Sequence, residues 1–243
     1  HSFGSQYKDV KIGNGKISDF SVFSFHAVKN LTTAEGGAIT FNNINNISSE
    51  EIYKNLMLLS LHGQNKDALS KTLAGKWRYD VELAGYKCNM TDIQASLGLV
   101  QLSRYDNEIL PKREILFNTY LEQFKNDERF SLPPFFDKNK KNNRHLFPIR
   151  INKIDEKERD TIIEKMAEKR ISLNVHFIPL PLLSLYKKLG YDIKDYPNAY
   201  NMYKNLITLP LYSKLETEEA IYVANELKKV INPNFDLLKS NLF

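Results

Sequence analysis

The stretch with the clearest chemical potential is Ser24-Phe25-His26-Ala27-Val28-Lys29-Asn30-Leu31-Thr32-Thr33-Ala34-Glu35-Gly36-Gly37. A lysine follows an apolar run, with hydroxyl residues beside it and paired glycines behind. A loop lysine is ordinarily solvated and chemically idle. The reactive reading requires Lys29 to be partly desolvated, which would lower its pKa and leave an uncharged amine able to attack a carbonyl. Ser24, five residues upstream, is placed to reach a phosphate on the same ligand. Gly36 and Gly37 allow the backbone to turn sharply beneath it. Other chemistries find little support. No glycine-rich dinucleotide or triphosphate fingerprint occurs. His1, His26, His62, His145, His176 and the single cysteine, Cys88, show no metal-ligand spacing.

The elements around Lys29 follow from the hydrophobic pattern. Asp19 to Phe25 reads as a short buried strand through Phe20, Val22, Phe23 and Phe25, and Gly37 to Phe41 as a second. The polar link between them, His26 to Gly36, is too short for a useful helix, so a hairpin-like strand–loop–strand is expected. Ser48-Ser49-Glu50-Glu51 forms a capping box that opens a helix with Ile52, Leu56 and Leu59 at helical spacing, ending near His62-Gly63. Gln64 to Ala84 has no clear period. Thr91-Asp92-Ile93-Gln94 opens a further helix to about Leu102, whose Ala95, Ser96 and Gly98 permit close backbone approach.

A break is expected at Leu110-Pro111, then an amphipathic helix from Lys112 to Lys125 with Ile115, Leu116, Tyr120 and Phe124 as its buried stripe. Beyond Pro133-Pro134 the pattern predicts a strand over Arg144 to Ile151, a helix over Glu156 to Arg170 and a strand over Ser172 to Phe177. A helix over Tyr196 to Asn205, a strand over Leu206 to Leu211 and a closing helix from Thr217 to Val230 follow, the last with only a weak cap. This alternation implies a layered α/β domain. A domain boundary is placed near Pro111, giving 1–111 and 112–243.

Composition bounds the rest. The 243 residues are 42% hydrophobic and 26% charged, the balance of a folded globular chain. A net charge of +5 comes from 34 Lys and Arg against 29 Asp and Glu. The densest basic cluster, Lys138, Lys140, Lys141 and Arg144, reads as a solvated loop rather than a nucleic-acid footprint. One cysteine cannot form an intrachain disulfide, so a reducing, cytoplasmic setting is expected. No apolar run is long enough to span a membrane, and no signal peptide is visible. The chain opens on His1-Ser2-Phe3-Gly4 without an initiator Met, so it is expected to start partway into a longer polypeptide or beside a companion chain.

The Ser24-to-Gly37 segment resembles the lysine motif of the DegT/StrS family, pyridoxal-phosphate (PLP) aminotransferases of nucleotide-linked keto-sugars. The resemblance extends to His62-Gly63 with Gly85-Tyr86-Lys87-Cys88-Asn89-Met90-Thr91-Asp92-Ile93-Gln94-Ala95, to Val175-His176-Phe177-Ile178-Pro179, and to Thr208-Leu209-Pro210-Leu211-Tyr212. It implies an α/β chain of PLP-transferase fold type I. Residues 1–111 would be the C-terminal part of the large, PLP-binding domain and 112–243 the small domain. Lys29 would hold PLP and move the proton in transamination, and Ser24 would bind the cofactor phosphate. His1, as last member of the D-x-A-[HQ] motif, would lie near the phenolic oxygen. Lys87 or Asn89 would reach the phosphate of a neighbouring subunit in a homodimer with shared sites. The chain has Lys87-Cys88-Asn89 where many members have Asn-x-Arg, and Pro181 where a second histidine often follows. His176 would face the substrate. His26 and Thr33 are expected to make structural hydrogen bonds.

The reaction so implied transfers an amine, with glutamate as donor, to a nucleotide-linked keto-sugar for polysaccharide or glycan biosynthesis. Retention of the lysine argues against the family's dehydratase branch. The resemblance also implies that the Asp on the pyridine nitrogen and the ring-stacking aromatic lie upstream of His1. The competing expectation is a non-catalytic binding or regulatory protein that keeps the fold.

Overall fold

The computed structural model describes residues 1–65 and 77–231. The chain divides into two compact units, His1–Asp106 with Lys138–Lys141, and Asn107–Asp137 with Asn142–Phe243.

The first unit contains two small sheets. Strands β1 (Gln6–Tyr7) and β2 (Val10–Lys11) pair antiparallel, and a later strand, Lys140–Lys141, pairs with β1 on its other side. Strands β3 (Phe20–Ser24) and β4 (Gly37–Phe41) form an antiparallel hairpin in the register Phe20↔Phe41 to Ser24↔Gly37. The expected strand–loop–strand is therefore present, but β3 is not a buried strand. Alternation sends Phe23 inward at 5% exposure, while Val22 on the opposite face is 73% exposed, with Phe20 and Ile39 beside it.

Helix α1 (Ser49–Ser60) begins where Ser48 accepts a hydrogen bond from the Glu51 backbone N–H at 3.2 Å. It ends at Leu61, ahead of His62 and Gly63, both at positive φ. Residues 66–76, within the aperiodic Gln64-to-Ala84 stretch, lie outside the described residues. Helix α2 (Asp92–Arg104) opens with the reciprocal capping box of Thr91 and Gln94.

The break expected at Pro111 is absent. Helix α2 passes through a π turn, Tyr105–Ile109, into helix α3 (Leu110–Phe124), with Pro111 in its first turn. A proline ring would meet the carbonyl four residues back, that of Asn107, in an unbroken α-helix. Widening to π geometry across that residue removes the conflict, and Pro111 needs no N–H of its own at a helix start.

The second unit is an antiparallel sheet layered with helices. Strands β5 (Phe130–Ser131), β7 (Phe147–Ile151) and β8 (Leu206–Leu209) run in that order, β6 being the Lys140–Lys141 strand of the first unit. Helix α3 and helix α4 (Glu156–Glu168) each pack with helix α7 (Thr217–Val230). Between these two come short helices α5 (Ser184–Lys188) and α6 (Pro197–Tyr203). Phe147, Ile149 and Ile151 alternate inward at 0% exposure and meet Leu116, Tyr120, Phe124, Ile162, Met166, Ile207 and Leu227 in one core.

Three expectations need correction here. In α3 the buried stripe is Arg113, Leu116, Phe117, Tyr120 and Phe124, whereas Ile115 is 58% exposed. Arg113 is held inside because its guanidinium satisfies the carbonyls of Arg144, His145 and Leu211. Residues 172–177 form no regular strand; Asn174 alone bridges Thr208. Arg144, read as part of a solvated cluster, is 5% exposed. It pairs with Glu114 at 3.0 Å and stacks on Phe117 with its guanidinium carbon 4.3 Å from the ring centroid. Helix α7 also has a better start than Thr217 suggests, since the Glu216 N–H donates to Glu219 at 2.9 Å.

Candidate active site

Lys29 rides on the loop 25–36 that joins β3 to β4, and the loop is closed by its own backbone. One step beyond the Ser24↔Gly37 pair, the Phe25 N–H donates to the Gly36 carbonyl at 2.8 Å. The Thr33 N–H donates to the Phe25 carbonyl at 2.9 Å, and the Thr32 hydroxyl donates to the same oxygen at 3.1 Å. Thr33 is 1% exposed, and its hydroxyl donates to the Glu35 carbonyl at 2.8 Å. The two threonines thus supply partners for loop backbone groups that have left the hairpin ladder. Gly36, at φ +152°, must lack a side chain, because a Cβ would lie 2.5 Å from Thr33 Oγ1 and 2.7 Å from Met90 Cε.

Helix α2 braces this loop. The Thr32 N–H donates to Gln101 Oε1 at 3.2 Å, and Gly98 comes so near Thr33 that a Cβ there would sit 2.9 Å from Thr33 Cγ2. The small residue seen in the sequence therefore serves a close approach, and its partner is the lysine loop. Past the helix, the Tyr105 hydroxyl accepts from Asn30 Nδ2 at 3.4 Å and donates to the Phe3 carbonyl at 2.8 Å. Phe3 stands edge-on to Phe23, Phe25 and Tyr105, with centroids 5.4, 6.0 and 4.8 Å away. This aromatic cluster fixes the opening segment of the chain beneath the loop.

The result is a contact between two of the singled-out residues. Lys29 Nζ lies 2.7 Å from His1 Nε2, and Lys29 is half-buried. A hydrogen bond of this length requires one of the two nitrogens to offer a lone pair. Lys29 itself sits in a tight turn, its N–H donating to the His26 carbonyl at 2.9 Å. Leu31, two residues later, is buried at 2% exposure and pins the chain where the turn ends.

Ser24 occupies the last position of β3, on the exposed face, with Oγ 3.4 Å from the His26 N–H. His26 Nε2 is 3.5 Å from Glu35 Oε1, so the side chains of His26 and Thr33 both bind the loop itself. Lys87 and Asn89 lie on a segment hydrogen bonded to the end of α1. The Cys88 N–H donates to Ser60 O at 3.0 Å, and the Tyr86 carbonyl accepts from the His62 N–H at 2.8 Å. Both side chains are exposed and are hydrogen bonded to each other. His176 belongs to the second unit, just past the Asn174–Thr208 bridge, with its ring edge-on to Phe177 at 4.7 Å.

The structure therefore brings Lys29 and His1 into contact, places Ser24 at the strand end from which the lysine loop departs, and pairs Lys87 with Asn89. Asn30, Gln101 and Tyr105, which hold the frame, escaped the sequence reading. Their sole signal was position: Asn30 adjoins the lysine, while Gln101 and Tyr105 look like ordinary helix residues until the helix is docked.

Comparison with known proteins gives a consistent result. The sequence profile of the DegT/DnrJ/EryC1/StrS aminotransferase family matches residues 1–228. Spore coat polysaccharide biosynthesis protein SpsC of Bacillus subtilis is 35% identical over 95% of this chain and 58% of its own length. The UDP-4-amino-4,6-dideoxy-N-acetyl-beta-L-altrosamine transaminase of Campylobacter jejuni is 34% identical over 95% of this chain and 57% of its own. Among solved structures, Spr1654 of Streptococcus pneumoniae in its PMP form superposes with a TM-score of 0.86 and 46% identity, over 95% of this chain and 57% of that one. Its apo and PLP forms match as well. This chain spans less than three fifths of the length of these curated relatives.

Proposed function

The chain belongs to the DegT/DnrJ/EryC1/StrS aminotransferase family, and we propose that it carries the lysine-bearing portion of a PLP-dependent sugar aminotransferase. The observation that carries this reading is the backbone-closed loop that holds the Lys29 amine 2.7 Å from His1 Nε2, with Ser24 at the strand end where that loop begins.

The donor set suits PLP. Lys29 offers an amine for its aldehyde, Ser24 a hydroxyl for its phosphate, and His1 an imidazole beside the amine. When bound, the cofactor supplies an electron sink for the carbanion that transamination requires. The chain's residues supply the remaining functions. Lys29 would hold the cofactor through Nζ, and the same amine would carry the proton between Cα of the amino donor and C4′ of the cofactor. His1 orients Nζ. Ser24 Oγ donates to the phosphate. Lys87 or Asn89, both exposed, reaches the phosphate of a neighbouring subunit in a homodimer. His176 contacts the sugar substrate. In this reading residues 1–111 are part of the large cofactor domain and 112–243 form the small domain.

The substrate class is a nucleotide-linked keto-sugar, with glutamate as amino donor and an amino sugar for polysaccharide or glycan synthesis as product. The named activities of the Campylobacter jejuni and Bacillus subtilis relatives support that class. The test is direct. The chain is mixed with PLP, reduced with borohydride and digested, and the adduct is located by mass spectrometry. An adduct on Lys29, lost in Lys29→Ala, is expected. Labelling confined to other lysines, or unchanged in Lys29→Ala, refutes the assignment.

A further inference from the structure

Tyr105 hydrogen bonds to both segments that present the candidate active pair. It lies at the entry of the π turn and is 2% exposed. Its hydroxyl accepts from Asn30, the neighbour of Lys29, and donates to the carbonyl of Phe3, two residues from His1. Its ring fills the space left by Gly4, where at φ +83° a Cβ would lie 2.5 Å from Tyr105 Cε1. The backbone at Gly4 therefore packs directly against the tyrosine ring. Phe3 also packs edge-on against the Tyr105 ring, so contact and hydrogen bond restrain the same segment.

We propose that Tyr105 is a positioning residue for Lys29. By bridging Asn30 and Phe3 through one hydroxyl, it sets the separation of the Lys29 amine and the His1 imidazole. The ring supplies packing, and the hydroxyl supplies registry between two segments that are otherwise far apart in sequence. A π turn suits this task, because its wider helical turn re-aims one side chain without ending the helix. The proposal rests on the reading that Lys29 takes up PLP, and it adds a specific residue that governs how readily it does so.

Tyr105→Phe removes the hydroxyl and keeps the ring. Stopped-flow mixing of the cofactor-free chain with PLP reads the visible band that appears as Lys29 takes up the cofactor. A lost hydrogen bond in this setting predicts a rate about tenfold slower. Asn30→Ala, which removes the other end of the same bond, slows uptake to a similar degree. The double variant is no slower than Tyr105→Phe alone, because losing the hydroxyl already removes the Asn30 bond. A fall in thermal stability with an unchanged uptake rate would reduce Tyr105 to a packing residue and overturn the proposal. Multiplying effects in the double variant would overturn it as well. If Tyr105→Phe does not fold, an unchanged rate in Asn30→Ala alone has the same force.

Failure of the underlying reading shows differently, as no visible band in the wild-type chain. Hydrogen exchange of the Lys29 to Leu31 amides without cofactor then decides the matter. Faster exchange in Tyr105→Phe supports the tether, and equal exchange overturns it.

Discussion

Gly98→Ala isolates the contact on which the lysine loop rests. On helix grounds alone the change is favourable, since alanine in a helix interior is better than glycine by about 1 kcal/mol. Docking reverses the sign. The new Cβ would lie 2.9 Å from Thr33 Cγ2, well inside ordinary carbon–carbon contact, and Thr33 has little freedom to yield. It is 1% exposed, its N–H is bonded to the Phe25 carbonyl, and its hydroxyl to the Glu35 carbonyl. A β-branched side chain held at both polar ends cannot rotate its methyl away without breaking a buried hydrogen bond. Overpacking of this kind costs about 1–3 kcal/mol, so the net expectation is a loss of roughly 1 kcal/mol.

Thr33→Ser supplies the control, because it keeps the hydroxyl and deletes the methyl. In that background Gly98→Ala meets open space and regains up to about 1 kcal/mol. Urea denaturation of the four proteins, read by circular dichroism and fitted with a common slope, gives the comparison. Stabilisation by Gly98→Ala in the wild-type background, equal to that in the Thr33→Ser background, would show that the helix does not press on the loop.

Two further outcomes concern the second unit. Phe147→Ala removes a side chain at 0% exposure that touches Phe117, Tyr120, Phe124 and Phe135, and should cost about 3–5 kcal/mol in a denaturation experiment. A loss below about 1 kcal/mol would show that the core reforms around the gap. Asp127 carries a pH signature. Hydrogen bonds from Arg129 to both carboxylate oxygens, at 2.9 and 2.6 Å, hold its pKa below the usual carboxylate value despite partial burial. A depressed folded-state pKa stabilises above the unfolded value of 3.8 and loses that contribution as pH falls through the lower folded value. Asp127→Asn should therefore lower stability at pH 7 and flatten its decline below about pH 4. An acid limb as steep as the wild type's would contradict this.

Much of the local structure was legible because it is decided by near neighbours in sequence. The capping residues Ser48 and Thr91 mark helix starts where the structure has them, since each cap is satisfied within three residues. The loop between β3 and β4 was likewise visible from the length and polarity of residues 26–36. The errors share one cause. Ile115 and Phe117 are both apolar and two residues apart, and local pattern cannot say which faces a core whose position depends on distant strands. Arg113 and Arg144 look solvated by residue type. They are buried because carbonyls and a carboxylate from other segments meet them.

For the candidate site the division is similar. The order of residues from Ser24 to Gly37 already singled out Lys29 and Ser24 as candidates, because a motif of this kind is written along the chain. That His1 would stand 2.7 Å from Lys29, and that Asn30, Gln101 and Tyr105 would hold the two in place, arose only on folding. Chain connectivity specifies which functional groups are adjacent along the backbone. Only packing, which joins residues as far apart as Phe3 and Tyr105 through one hydroxyl, can specify the distance and direction at which they meet.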